Sequence, residues 1–191
     1  MKTTRKIGVV TALLLSLAVA SQAQTQPQQS SPSSSSDKFR LSIGPEAGLP
    51  VGSFHDAYGS FFGGSVQGEL PVVKNLSVIL NAGYNDFIVK DGVPLKNLST
   101  LPVKAGLRYY FLPDFLYVQG EAGTSILLNK NDLAADKSAD FAYAGSVGVL
   151  IPIAKKNYID VGVRWQGQSS YWNNGSSMNF LGLRAAYTLG F

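Results

Sequence analysis

The sequence predicts an all-β fold, an eight-stranded antiparallel up-and-down transmembrane β-barrel, on three observations. Apolar residues recur at every second position through eight segments between Phe39 and Phe191. The connections between those segments alternate long and short. One parity of the alternation is free of charge between the strand ends, while the other carries nine charged side chains.

The chain opens with Lys2, Arg5 and Lys6 ahead of the apolar run from Ile7 to Ala20, and Ser21-Gln22-Ala23 follows. A basic start, an apolar stretch and small residues at the cleavage positions predict a secretory signal peptide over 1–23, cut before Gln24. That run is too short to span a bilayer comfortably, and no later stretch reaches the ~18 consecutive apolar residues of a membrane helix. The absence of cysteine excludes both a lipoprotein anchor and disulfides. The signal holds three of the sixteen basic residues, so the mature chain carries thirteen basic against twelve acidic residues, a net +1. It therefore lacks the basic surplus that phosphate binding needs, and no nucleic-acid partner is expected. Residues 24–38 are rich in Ser, Gln and Pro with no apolar side chain, and predict a disordered periplasmic leader. The remaining 39–191 suffice for one domain.

Within that domain the first strand is expected at 39–49, ahead of the Gly/Ser-rich stretch around Gly52 to Asp56. Strand two covers 61–71 and turns at Val73-Lys74-Asn75 into strand three, 76–87; a loop with Asp91-Gly92-Val93-Pro94 follows. Strand four, 99–111, turns at Leu112-Pro113-Asp114 into strand five, 115–128, and a polar loop runs from Asn129 to Asp140. Strand six, 141–153, turns at Ala154 to Asn157 into strand seven, 158–167; a loop from Ser169 to Ser177 leads to strand eight, ending at Phe191. Short turns on one side and longer loops on the other suit a membrane barrel, whereas the Greek-key connections of a soluble sandwich mix loop lengths at both ends.

Period two assigns each strand residue to one of two faces. The apolar face includes Leu41, Ile43, Phe62, Leu70, Val78, Leu80, Tyr84, Leu107, Tyr109, Val118, Phe141, Val147, Val163, Trp165, Leu183 and Leu189. The other carries Arg40, Glu46, Glu69, Lys104, Arg108, Glu121, Asp160, Arg164 and Arg184 among Gly, Ala, Ser, Asn and Gln. A lipocalin-like barrel would turn the apolar face inward, but eight strands enclose a space only just filled by side chains, and this face is too bulky to fit. It must face outward, where a Lys or Arg near a bilayer midplane would cost ~2–4 kcal/mol. Aromatic girdles are expected from Tyr109, Phe111, Phe115, Tyr158, Tyr187 and Phe191 at the turn side. Phe62, Tyr84, Phe141, Tyr143 and Trp165 mark the loop side. Three residues break the pattern: Pro45 predicts a bulge or irregular pairing mid-strand, and Ile79 and Phe180 fall on the inward parity.

The last strand alternates Leu181, Leu183, Ala185, Tyr187, Leu189 and Phe191. An apolar series ending in a C-terminal Phe resembles the terminal strand signature of Gram-negative outer-membrane barrels, and 39–191 as a whole resembles the small eight-stranded group that includes the OmpA transmembrane domain and the OmpX-type proteins. It is similar to the families often labelled porin-like. The resemblance implies a cell outer-membrane location and contact with outer-membrane lipid and lipopolysaccharide. It also implies handling by periplasmic chaperones and the barrel assembly machinery, with Tyr187, Leu189 and Phe191 as the assembly signal. A monomer is expected. A peptidoglycan-binding domain after strand eight is not, so cell-wall tethering of that kind is not expected either.

The nine inward charges, five basic and four acidic, must be paired in a low-dielectric lumen. Strand adjacency pairs Arg40 with Glu69, Glu46 with Arg184, and Glu121 with Lys104 and Arg108, leaving Arg164 to share Glu46 or Asp160. The expected role is structural, in envelope integrity, with a charge-plugged lumen. A narrow gated pore for small ions or solutes and a surface-loop adhesion or ligand-binding role are the alternatives. Catalysis is not expected: His55, between Ser53 and Asp56, stands in one Gly-flanked loop where the three cannot converge as a triad does through a fold. Asn129, Asn131, Asp132 and Asp136 lack the Gly and bidentate Glu of a calcium loop, so no metal or cofactor is expected. The loop aromatics Phe54, Tyr58, Tyr171 and Trp172 are offered as partner contacts.

Overall fold

In the computed structural model, which describes residues 39–173 and 175–191, eight antiparallel strands close on themselves in chain order. The strands are β1 (Arg40–Val51), β2 (Tyr58–Val73), β3 (Leu76–Val89), β4 (Leu98–Leu112), β5 (Leu116–Leu127), β6 (Ala139–Ala154), β7 (Asn157–Gln168) and β8 (Met178–Gly190). The predicted fold class is the observed one. The expected signal peptide and leader lie outside the described residues.

Strand ends lie within three residues of expectation, and two of the differences have a local cause. β2 begins three residues early, at Tyr58, because a single helical turn, α1 (Phe54–Ala57), folds the first loop back towards the barrel. Phe115 belongs to a turn and not to β5. The three short turns share one design: Asn75, Asp114 and Lys156 adopt left-handed backbone (φ 65°, 54° and 62°). A register shift lies beside each, at Pro71/Val73, Tyr110/Leu112 and Pro152/Ala154. A turn closed by a left-handed residue and a bulge is the usual way a three-residue hairpin matches strand twist. Asn and Asp tolerate that conformation better than other side chains.

Pro45 does not create a bulge. β1 pairs β8 at Ile43↔Tyr187 and again at Glu46↔Arg184 in unchanged register, skipping Gly44 and Pro45. On the β2 side both residues stay paired, with Ser65 and Gly64. Pro has no N–H to give the ladder, so the pairing lapses on one side without a frame change.

The outward parity is exposed along the barrel, including Ile43, Phe62, Leu107, Val147, Val163, Leu183 and Leu189. Ile79 and Phe180 are buried inside, as their parity requires. Ten of the eleven expected girdle aromatics are exposed, and Tyr109–Phe111 and Tyr143–Trp165 pack edge-on at 5.3 and 5.6 Å. Tyr158 is the correction: it precedes the outward Ile159 and packs inward against Tyr110, Tyr117 and Leu150. Leu183, paired with Ala47 and Val163, sits in the middle of the apolar face. Leu183→Arg is expected to destabilise the lipid-embedded barrel by ~2–4 kcal/mol, measured by urea unfolding in vesicles.

Candidate functional site: the barrel lumen

Inside, the barrel is filled in two layers of different chemistry. The lower layer, towards the turns, is polar. Here Glu69 takes hydrogen bonds from Arg40 (3.3 Å), Arg108 (3.1 Å), Ser77 (2.9 Å) and the Tyr110 hydroxyl (2.9 Å). Arg108 also donates to Gln119 (2.8 Å) and Asp160 (3.0 Å), and its guanidinium lies 3.8 Å from the centroid of the Tyr117 ring. Tyr117 donates its own hydroxyl to Asp160 at 2.6 Å. It reaches there because Gly148 and Gly162 leave the space: a Cβ at either would press on the Tyr117 hydroxyl. Higher up, Glu46 accepts two hydrogen bonds from Arg164 (2.9 and 3.0 Å) and one from Ser65 (2.6 Å). Lys104 bonds Gln166 at 2.6 Å and pairs with Glu121 at 3.0 Å.

All nine sequence-assigned charges therefore sit in the lumen, each 5% exposed or less. Their pairings follow the expectation only in part. Arg40 meets Glu69, Lys104 meets Glu121 and Arg164 meets Glu46. Glu46 and Arg184 face each other in register, at 3.4 Å. Arg108, assigned to Glu121 on the next strand, reaches instead across the barrel to Asp160 and sideways to Glu69. Asp160 pairs with Arg108 and Arg184, and Arg164 turns to Glu46 and Glu121. An eight-stranded lumen is narrow enough for long side chains on opposite walls to meet, so adjacency along the sheet underdetermines the partners. Asp114, in the β4–β5 turn, also binds Arg40 from below; it was missed because turn residues have no lumen parity.

The upper layer is an aromatic plug. Phe61, Phe87 and Phe180 point inward from β2, β3 and β8 and pack edge-on or tilted in a triangle with ring centroids 4.6, 5.1 and 5.3 Å apart. Phe54 of α1 caps them, 5.1 Å from Phe87, and Tyr58, Leu98, Leu127, Ala135, Tyr171 and Met178 complete a buried cluster. Gly48 makes room here, since a Cβ would meet the Phe61 ring at 2.7 Å. Phe54, Tyr58 and Tyr171, offered as partner contacts, are thus core residues; Trp172 is half-buried against them. Tyr171 donates its hydroxyl to Ser125 at 2.9 Å, and burial pushes its pKa up from 10.0 to about 12. Because the folded-state pKa is raised, the stability it reflects is present below pH 10 and lost as pH rises towards 12. Loop-side stability, followed by protease nicking of the loop between β7 and β8, is expected to fall across that window, and Tyr171→Phe is expected to flatten the fall.

Above the plug the loops surround an open cavity of about 580 Å³ whose apolar lining includes Phe54, Ala57, Leu95, Leu133, Trp172 and Met178. A Lys96–Asp132 ion pair of 3.7 Å stands at its rim. His55 is exposed on α1. In the loop between β5 and β6, Asn129 and Asp136 serve loop contacts: Asn129 donates to the Asn97 carbonyl and Asp136 accepts the Asn173 N–H. Tyr187, Leu189 and Phe191 lie outward on the closing strand, and the Phe191 N–H bonds the Phe39 carbonyl at 2.9 Å.

The closed order, the outward apolar face and the packed lumen define a small eight-stranded β-barrel of the outer-membrane type. Among solved structures the chain is similar to the outer membrane protein AlkL in DMPC bilayers. The TM-score is 0.53 at 15% identity, covering 89% of this chain and 97% of that one. It is also similar to Ail, the attachment invasion locus protein of Yersinia pestis, as a crystal structure (TM-score 0.51, 13% identity, 80% and 99% covered). The backbone structure of Ail in a nanodisc gives a TM-score of 0.50 at 13% identity, with 80% and 99% covered. At such identities the likeness establishes the fold. No protein-family model matches the chain, and no curated protein matches it in sequence.

Proposed function

We propose that the protein is a monomeric, non-catalytic resident of a Gram-negative outer membrane with a structural, envelope-integrity role and a plugged lumen. The observation that carries this reading is the double filling of the lumen. A bonded charge network occupies its lower part and an aromatic cluster its upper part, inside a wall whose outer face is apolar. Cutting a path for hydrated ions would mean separating buried ion pairs and unstacking three phenylalanines at once. In this reading a signal peptide exports the chain, periplasmic chaperones and the assembly machinery recognise the strand ending in Phe191, and outer-membrane lipid and lipopolysaccharide surround the apolar belt. Planar-bilayer recording of the refolded protein is expected to show no discrete conductance above the lipid background. Reproducible unitary steps would replace this reading with the narrow-pore one.

A second reading, ligand binding by the surface loops, is favoured by the cavity above the plug, whose size falls within the ~300–1,000 Å³ of small-molecule sites. Trp172 lines it. In a Trp165→Phe background, Trp172 fluorescence would report an amphiphile entering; a flat titration with medium-chain alcohols would reject this reading.

A further inference from the structure

Midway up the lumen, between the two carboxylate clusters, lies a small cavity of about 10 Å³. Its wall holds the guanidinium-bearing residues Arg108, Arg164 and Arg184 together with Gln67, Gln119 and Ser146, and no carboxylate among the described residues. Four of these carry polar atoms that make no hydrogen bond among the described residues: Nη1 and Nη2 of Arg184, Nε of Arg164, Nε2 of Gln67 and Oγ of Ser146. Arg184, Arg164 and Gln67 are 4%, 5% and 1% exposed, so bulk water does not serve them. The Gln67 amide is oriented by its own carbonyl oxygen, which accepts from Asn81 and Gln119 and leaves the NH₂ group as the spare end. Arg184 spends only Nε on a hydrogen bond, to Ser65, while its distances to Glu46 (3.4 Å) and Asp160 (3.5 Å) are ion-pair contacts without hydrogen-bond geometry.

The spare atoms are therefore almost all donors. A guanidinium and a primary amide nitrogen can only donate, and the Ser146 hydroxyl alone can do either. An occupant must accept several hydrogen bonds at once and need donate none. Water accepts two and has two of its own to place, and the acceptors the wall offers, the Ser146 and Tyr117 hydroxyls and the second lone pair of Gln119 Oε1, are fewer than the spare donors. A monatomic anion accepts from every side and donates nothing. Charge points the same way: the nine buried lumen charges are five basic and four acidic, and the balancing Asp114 is 41% exposed, at the turn end on Arg40. At about 10 Å³ the cavity favours a single small occupant over a polyatomic oxyanion such as phosphate.

We propose that this cavity is a binding site for a single monatomic anion of the chloride class, held by Arg184, Arg164, the Gln67 amide and the Ser146 hydroxyl. Bound there, the anion ties β2, β6, β7 and β8 together through one centre and completes the network that fills the lumen. The inference rests on the donor geometry and stands whether or not the barrel conducts.

Two measurements on the refolded full-length protein test it. Crystals soaked in sodium bromide are expected to show an anomalous peak within hydrogen-bonding distance of the Arg184 and Arg164 guanidiniums. Thermal unfolding at matched ionic strength is expected at a higher temperature in chloride than in gluconate, which is too large to enter. That difference should be lost in Gln67→Leu and reduced in Ser146→Ala, neither of which alters charge; Ser146→Ala, the loss of one hydroxyl, keeps the comparison readable if Gln67→Leu does not refold. A lumen without a bromide peak, or a chloride effect that persists unchanged in both variants, overturns the proposal.

Discussion

Glu46→Gln is expected to lower the stability of the refolded barrel by ~3–5 kcal/mol, the range found when one partner of a buried ion pair is removed. Urea midpoints in lipid vesicles, scored by heat-modifiable gel migration, would measure it. The substitution keeps the side chain's size and removes only its charge. In the native lumen the Glu46 carboxylate takes both hydrogen bonds of Arg164 Nη1 and one from Ser65, and stands 3.4 Å from Arg184. Without that charge the only carboxylate contacts left to the two guanidiniums are the looser ones of 3.7 Å to Glu121 and 3.5 Å to Asp160. Neither can leave the lumen for water, so both remain under-compensated. A loss below about 1 kcal/mol, the worth of an exposed pair, would mean that water reaches this part of the lumen.

Phe180→Ala is expected to cost a similar amount, ~3–5 kcal/mol, through a cavity at the centre of the aromatic plug. Phe180 is 1% exposed and touches Phe61 and Phe87, the latter itself held from above by Phe54. The neighbouring Leu181 supplies the control, because it is 47% exposed on the outer face and Leu181→Ala leaves no enclosed void. Unfolding midpoints for the two variants should differ severalfold in their displacement from wild type. Equal displacements would show that the plug is not a packed core.

How far such behaviour could be read from the sequence depends on which physical signal each part leaves. Alternation in Leu76, Val78, Leu80, Ala82 and Tyr84 fixes a face because period two is a property of the strand itself. The fold class, the strand count and the inward position of Arg108 or Arg184 follow from it. Phe180 is visible in the same way, as an apolar residue on the wrong parity, and so is Ile79. What was not legible is what these exceptions do together. Phe61, Phe87 and Phe180 come from three strands that the barrel brings to one height, and no local pattern reports height on different strands. The identity of ion-pair partners is hidden for a related reason: Arg108 reaches Asp160, 52 positions further along the chain, across the lumen and at a distance set by barrel radius. Phe54 and Tyr171 were misjudged because loops carry no periodicity, so burial by folding back over the barrel mouth leaves no trace in the sequence.

The lapse in pairing at Gly44 and Pro45 leaves the β1–β8 boundary as two separate runs of rungs in one frame, Arg40 to Ile43 and Glu46 to Val51. This is the one boundary whose strands come from opposite ends of the domain, so its closure carries the largest loop entropy of the eight. Because both runs share a register, either can form first and already dictate the other, so closure does not depend on a single continuous zipping event. The lapse is not a hole in the wall: at Gly44 the two backbones lie so close that even a Cβ would collide with the Ala185 carbonyl and with Ala186, so only a residue without a side chain fits there.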